Sequence, residues 1–238
     1  MRVSTQTDSR ASALIVHAHP ETVSFSTAQA HAAAETLRAQ GYTVEFIDLY
    51  ANGWEPVLDR SEFAPFEGPF KPQREQWNAV KDGMLPADVR TDLDAVFRAD
   101  LLVLSFPLWW FSLPAILKGW MDRVFVMGGV SGGDLGAFEQ AALTGRRAVV
   151  LATTGGSADA FTADGAFGDI NDFLFHIHRG MFEFVGYDAL EPVITYGPAH
   201  LDDARRAEAL RQVRHTFGNI HHRPLAASTR YLDLTATR

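Results

Sequence analysis

The chain has 238 residues, 47% of them hydrophobic, carries a formal net charge of −8 and contains no cysteine. That length suits one domain with material for a sizeable core. The acidic balance argues against nucleic acid or an anionic membrane as the main partner; the missing thiols exclude disulfides, thiolate catalysis and cysteine-ligated zinc, and suit the cytoplasm.

The first dozen residues, MRVSTQTDSRAS, are polar and hold no apolar run of signal-peptide length. They read as a flexible start (1–12), followed by a folded domain over 13–222 and a tail over 223–238. Ala13 to Ala18 (ALIVHA) is a short apolar run, the mark of a buried strand. The loop HPETVSFS follows, rich in hydroxyls. An alanine-rich helix is expected from Thr27 to Gln40, stopped by Gly41. Tyr42 to Leu49 alternates apolar and polar residues and reads as a second strand. From about Tyr50 to Asp88 the chain carries proline, glycine and aromatic residues with little periodicity, and one helix is expected there, over Arg74 to Val80. Excursions of that length are often functional.

Asp88 to Ala99 has the pattern of an amphipathic helix and leads into an apolar strand at Leu101 to Leu104. The chain turns at Pro107, places Trp109, Trp110 and Phe111 in a loop, and enters a helix over Pro114 to Val126 with proline in its first turn. The greasy stretch Leu101 to Leu117 is broken by Pro107 and Pro114 and falls short of the ~20 residues of a membrane span, so no membrane insertion is expected. Gly128 to Gly136 is a glycine-rich loop. Arg147 to Thr153 is a fourth strand, followed by TTGGSADAF. Ile170 to Val185 reads as helix, Ala189 to Thr195 as a fifth strand that Pro192 confines to an edge, and Asp202 to His221 as a long charged helix.

Strands alternating with helices predict an α/β fold: a doubly wound, five-stranded parallel sheet with helices on both faces, in the flavodoxin-like order. In such sheets the loops after the first, third and fourth strands converge. The first offers hydroxyls and the start of a helix, whose free N–H groups suit phosphate. The second offers aromatic planes. The third offers threonines beside glycines, where the backbone can approach a ring closely. Together they describe a flavin nucleotide site. No GxGxxG follows the first strand and no P-loop lysine motif is present. Gly129 to Gly133 (GVSGG) matches the serine-hydrolase elbow by letters, but it follows a helix where that motif needs a strand. His17 and His19, His176 and His178, and the pair His221 and His222 lack metal-site spacing with a carboxylate, so no metal is expected.

PLWWFSLPAILKGWMDRVF, TTGGS and LEPVITY, with the opening AHPETVSFS, resemble the flavin-dependent NAD(P)H:quinone oxidoreductases, the DT-diaphorase-like branch of the flavodoxin-like proteins. The resemblance runs from about Leu14 to the last helix. It implies FAD rather than FMN, NAD(P)H as co-substrate, a homodimer with the active site at the subunit interface, and a ping-pong hydride shuttle to a quinone or similar acceptor. By that resemblance His19, Phe25 and Ser26 hold the phosphate and ribose parts. Leu108, Trp109, Trp110 and Phe111 line the flavin ring, and Thr153, Thr154, Gly155 and Gly156 contact its polar edge. Arg205, one residue off the strict spacing, reaches towards the adenosine. Phe161 also borders the cofactor, and Trp110, Phe161, Phe167 and Phe184 form the substrate pocket.

The chain departs from that family at two places. Where its best-studied members carry a tyrosine and a histidine that relay a proton, this chain has Phe161 and Phe167, which can do neither; the catalytic pair is therefore without an assigned replacement, with His176, His178 and His200 as candidates. The loop Met127 to Gly136 is mostly glycine where the family often has tyrosines, so a more open or more mobile pocket, with a different substrate choice, is expected. Two classes follow: a two-electron reductase of quinones, nitro or azo compounds, or a flavin-binding ancillary subunit of a potassium efflux system, as some relatives of the family are.

Overall fold

The structure, a computed structural model, describes residues 10–226. Most of the expected flexible start and most of the expected tail therefore lie outside the described residues. The sheet is built from β1 (Ser12–His17), β2 (Thr43–Asp48), β3 (Leu101–Pro107), β4 (Arg147–Thr154), β5 (Asp188–Ala189) and β6 (Val193–Tyr196). Every pairing is parallel, in the order β2-β1-β3-β4, with β5 and β6 both lying along β4. The chain leaves β1 for one side of the sheet and returns to β3 on the other, so the carboxyl ends of β1 and β3 form the switch point where doubly wound folds bind ligands.

Alternation along the strands sends successive side chains to opposite faces. Ala13, Ile15, Val103 and Leu151 pack beneath α1 (Phe25–Ala39) and α6 (Asp203–Gly218), against Ala33, Leu37, Val213 and Phe217. Leu14, Val16, Leu102, Leu104 and Val150 share the opposite core with Leu93, Trp120, Leu174 and Ile177. Those residues come from α3 (Ala87–Arg98), α4 (Ala115–Val124) and α5 (Ile170–Ile177). β3 is buried along its whole length, as a central strand covered on both faces must be.

The structure differs from the sequence expectation in three places. The fifth strand is two short pieces. Pro192 has no N–H to donate, and the Glu191 amide turns away to Pro224 O, so pairing with β4 lapses between Leu190 and Val193. The expected helix to Val185 stops at Ile177 and continues as a π-turn (His178–Phe182) and a short 3₁₀ turn that ends at Gly186 in a left-handed conformation. The start of the expected tail is fixed: Leu225 bridges Leu190, and the Arg223 guanidinium donates to Glu191 O and Pro192 O.

The long excursion after β2 is tied down by one arginine. Buried Arg123 of α4 pairs with Glu62 at 2.9 Å, donates to Glu55 O and lies over the Trp54 ring. The excursion also carries α2 (Pro72–Lys81), and Trp77 of that helix accounts for the glycine-rich loop. A Cβ on Gly133 would fall 2.0 Å from the Trp77 ring, and one on Gly128 2.7 Å from it; both residues have positive φ. These glycines seat a tryptophan, and the loop is further closed by a Gly128 N–H···O Ser131 hydrogen bond of 2.6 Å. Ser131 sits in that turn after α4, not between a strand and a helix. No helix among the described residues is long and apolar enough to cross a membrane.

Candidate active site

Three loops meet at the carboxyl edge of the sheet. The first runs from β1 into α1. Ser24 caps the helix, its Oγ accepting from the Thr27 amide. The amides of Phe25 and Ser26 precede the first helical hydrogen bond, which runs from Ala28 to Ser24 O, and neither finds an acceptor among the described residues. Two free N–H groups at the positive end of a fifteen-residue helix form a natural anion cradle. Beside them the Glu21 amide donates to His19 Nδ1 at 2.9 Å. Nδ1 also lies 3.0 Å from Glu21 O, so the Glu21 backbone holds this ring edge beside the helix start.

The helix start is fixed from below by His17, which is fully buried between Ser105 Oγ and Thr27 Oγ1, each at 3.1 Å. The Thr27 hydroxyl donates onward to Glu21 O. Burial pushes the His17 pKa down to about 4, so the ring is neutral and serves as a structural bridge from β1 to α1.

The second loop leaves β3 at Leu108, whose N–H donates to Thr153 O at 2.8 Å. The Leu108 amide is thus spent on the sheet and only its carbonyl and side chain remain for a ligand. Trp109 and Ser112 then exchange backbone hydrogen bonds of 3.1 and 2.9 Å around Trp110 and Phe111. The amides of those two central residues find no acceptor among the described residues. Trp110 is 96% exposed. The His19 and Trp109 rings stand 6.5 Å apart, which joins the first loop to the second.

The third loop leaves β4 at Thr154. Thr153 Oγ1 meets Ser26 Oγ at 2.7 Å, tying β4 to the first turn of α1. Thr154 Oγ1 donates to Gly156 O at 2.8 Å and shapes the turn. Where a side chain on Gly155 would stand there is nothing within 4 Å, and its amide, like that of Gly156, has no acceptor among the described residues. Gly156 differs, since its missing Cβ would come 2.9 Å from the Phe167 ring and 3.2 Å from Phe161. Those two phenylalanines stack with Phe111 and Phe173 into a cluster whose ring centroids are 4.6 to 6.3 Å apart.

Most of the residues singled out from the sequence therefore come together: His19, Phe25 and Ser26 at the helix start, Leu108 to Phe111 in the aromatic turn, Thr153 to Gly156 opposite, and Phe161 and Phe167 beside them. Two lie apart within the chain. Phe184 follows the π-turn and packs edge-to-face on Phe138, 5.7 Å away. Arg205 is exposed, with only a long 3.9 Å pairing to Asp202. Its neighbour Arg206 is the anchored one, donating to Pro198 O in the turn that starts at Gly197, which itself backs onto Gly155 and Gly156. Of the three histidines considered, only His176 reaches a site loop, through Ser112 Oγ at 3.1 Å. His178 is buried beside Phe182 with Nε2 unpartnered and its pKa lowered to about 4, and His200 lies exposed in the 198–200 turn. A groove of about 640 Å³ between β6 and α6 is lined by Ile194, Tyr196 and Val213, and none of the three loops borders it.

The sequence reading missed Ser112, Phe173 and Arg206. Phe173 and His176 carried a usable signal: they stand three apart on a helix opened by Asp169, which caps the Asn171 amide, and so share one face.

A family model described as Flavodoxin-like fold matches residues 11–217. The chain is 37% identical over 211 residues to NAD(P)H dehydrogenase [quinone] 1 of Cavia porcellus, covering 87% of this chain and 76% of that protein. It is 38% identical over 197 residues to ribosyldihydronicotinamide dehydrogenase [quinone] of Homo sapiens, covering 81% and 84%. The solved NAD(P)H:quinone oxidoreductase of Methanothermobacter marburgensis superposes with a TM-score of 0.68 at 28% identity, over 90% of this chain and 98% of that one. Fold, loop positions and kinship agree, and the chain belongs to the flavodoxin-like NAD(P)H:quinone oxidoreductase family.

Proposed function

We propose that the protein is a flavin-dependent oxidoreductase that takes a hydride from NAD(P)H and delivers it to a quinone or similar acceptor by a ping-pong route. The observation that carries this reading is the junction of the three loops, knitted by Ser26 to Thr153 and by Leu108 to Thr153 O. The residues present fit a flavin: Gly155 leaves open space beside amides that find no acceptor among the described residues, Phe111 packs on Phe167 against Gly156, and Trp110 offers exposed aromatic surface. A bound flavin would supply the two-electron chemistry.

The chain's own part is binding and placement. The amides of Phe25 and Ser26, with the His19 ring beside them, would hold a phosphate. The free amides of Gly155 and Gly156 would donate to the polar edge of the ring, and Trp110 and Phe111 would stack on it or on the acceptor. Hydride transfer depends mainly on distance and stacking, which such contacts set. The phenylalanines Phe161 and Phe167 carry no proton donor; the Tyr196 ring packs on Phe161 at 5.9 Å and His176 reaches Ser112, so these two side chains are the candidates to supply the acceptor's proton. The cofactor is FAD rather than FMN, on the resemblance of the helix-start loop and of the α6 start. Trp110, Phe111, Phe167 and Phe184 form exposed aromatic surface that a second copy would cover, with Phe184 completing its neighbour's pocket, so the working form is a homodimer. A cytoplasmic location fits the cysteine-free chain.

Mass spectrometry of the acid-released cofactor and NAD(P)H oxidation against quinone, nitro and azo acceptors test this reading. FAD and fastest turnover with a quinone are expected. FMN as the sole occupant overturns the dinucleotide assignment, and absence of turnover with any acceptor overturns the enzymatic one.

A further inference from the structure

We propose that Phe173 and His176 of α5 are positioning residues that hold the Trp110–Phe111 turn in the shape the site uses; the functional part of this proposal rests on the flavin reading above. Trp110 and Phe111 are the two central residues of a turn closed by the reciprocal Trp109 and Ser112 hydrogen bonds. Their φ angles are 50° and 60°. Positive φ at both central positions is the geometry of a type I′ turn, which favours Asn–Gly because larger side chains crowd the backbone. Two adjacent bulky aromatics are a poor choice for it. Conformations of this kind persist where the surroundings over-determine them, and they concentrate at ligand clamps.

The over-determining surroundings come from α5. The Phe173 ring lies nearly parallel to Phe111, with centroids 4.6 Å apart and planes 22° apart. Three residues on, His176 Nε2 meets Ser112 Oγ at 3.1 Å. One helix face therefore grips two consecutive residues of the turn, one by stacking and one by a hydrogen bond. Trp110 receives no such support and is left facing solvent. The arrangement separates a held half of the turn, Phe111 and Ser112, from a presented half, Trp110. Neither Phe173 nor His176 needs to touch a ligand to act; each works through the residue it holds.

A double-mutant cycle at Ser112 and His176 tests this, read by amide hydrogen exchange at Trp109 and Ser112 in flavin-free protein and by flavin affinity in fluorescence titration. Ser112→Ala and His176→Ala are each expected to speed exchange at those amides about fivefold and to weaken flavin binding by a similar factor. The double variant should be no worse than either single one, and His176→Gln, whose amide nitrogen reaches where Nε2 stands, should restore both readouts. Exchange at Ile15 in β1 reports the intact fold and should not change. Additive effects, failure of His176→Gln to rescue, or unchanged exchange at 109–112 overturns the proposal. Should the unmodified protein bind no flavin, the functional reading fails while the exchange cycle still decides whether His176 holds the turn.

Discussion

The hydroxyls of Ser26 and Thr153, 127 positions apart in the chain, meet at 2.7 Å and lock the first turn of α1 to the end of β4. Both residues are buried, so removing one partner leaves the other without its hydrogen bond at a cost of about 1–3 kcal/mol. Ser26→Ala and Thr153→Val should each weaken flavin binding roughly tenfold or more, because the helix start and the Gly155 turn lose their common reference. Fluorescence titration of the flavin-free protein measures this; unchanged affinity in both variants would separate the junction from the cofactor site.

The two glycines after β4 have opposite surroundings and should respond oppositely. Gly155→Ala meets nothing within 4 Å, so thermal stability should be preserved while flavin affinity falls, the methyl standing where the ring would lie. Gly156→Ala drives a Cβ to 2.9 Å from Phe167 and should lower the melting temperature as the phenylalanine cluster shifts, at a cost of about 1–3 kcal/mol. Thermal denaturation alongside flavin titration of the two variants checks the split.

Gly133→Ala should destabilise the protein. Its φ is +64°, and a Cβ there would stand 2.0 Å from the Trp77 ring. Left-handed strain and overpacking add to about 2–4 kcal/mol. Trp77→Ala combined with Gly133→Ala should recover part of that loss, since the ring is half of the conflict. Urea unfolding of the three variants measures it.

His17 and His178 predict a specific pH dependence. Burial lowers both pKa values from 6.5 to about 4, so each ring is neutral in the fold and charges more readily once unfolded. Their stabilising effect is complete above pH 6.5, is lost progressively as pH falls, and is gone near pH 4; each contributes about 3 kcal/mol at most. His178→Gln, which cannot titrate, should therefore lose less stability than the unmodified protein between pH 7 and 4.5 in urea denaturation. Equal losses would show that His178 is not buried in neutral form.

The parts of this molecule that show in its sequence are those governed by local patterns. The apolar runs at Ala13 and Leu101 became β1 and β3 because a central strand covered on both faces needs unbroken hydrophobicity. The alanine-rich run closed by Gly41 became α1 within a residue or two of expectation. What did not show was set by distant partners. The Met127–Gly136 loop reads only as glycine-rich in sequence, yet Gly128 and Gly133 make room for Trp77, some fifty residues earlier. The fifth strand reads as continuous, yet Pro192 and the Glu191 to Pro224 hydrogen bond divide it. In the site, the three loops were legible because strand order alone brings them together. The choice between Arg205 and Arg206, and the grip of α5 on the aromatic turn, depend on helix phase at single-residue precision, which loop spacing does not fix.

In the proposed function, electrons pass in pairs through a flavin seated where the β1, β3 and β4 loops meet. Anaerobic titration of the purified protein with NAD(P)H is the decisive measurement. The protein should be yellow, with visible absorbance that bleaches with one equivalent of NAD(P)H per flavin and returns with one equivalent of quinone. A colourless protein that takes up neither FAD nor FMN, or a bound flavin that NAD(P)H leaves oxidised, would contradict it.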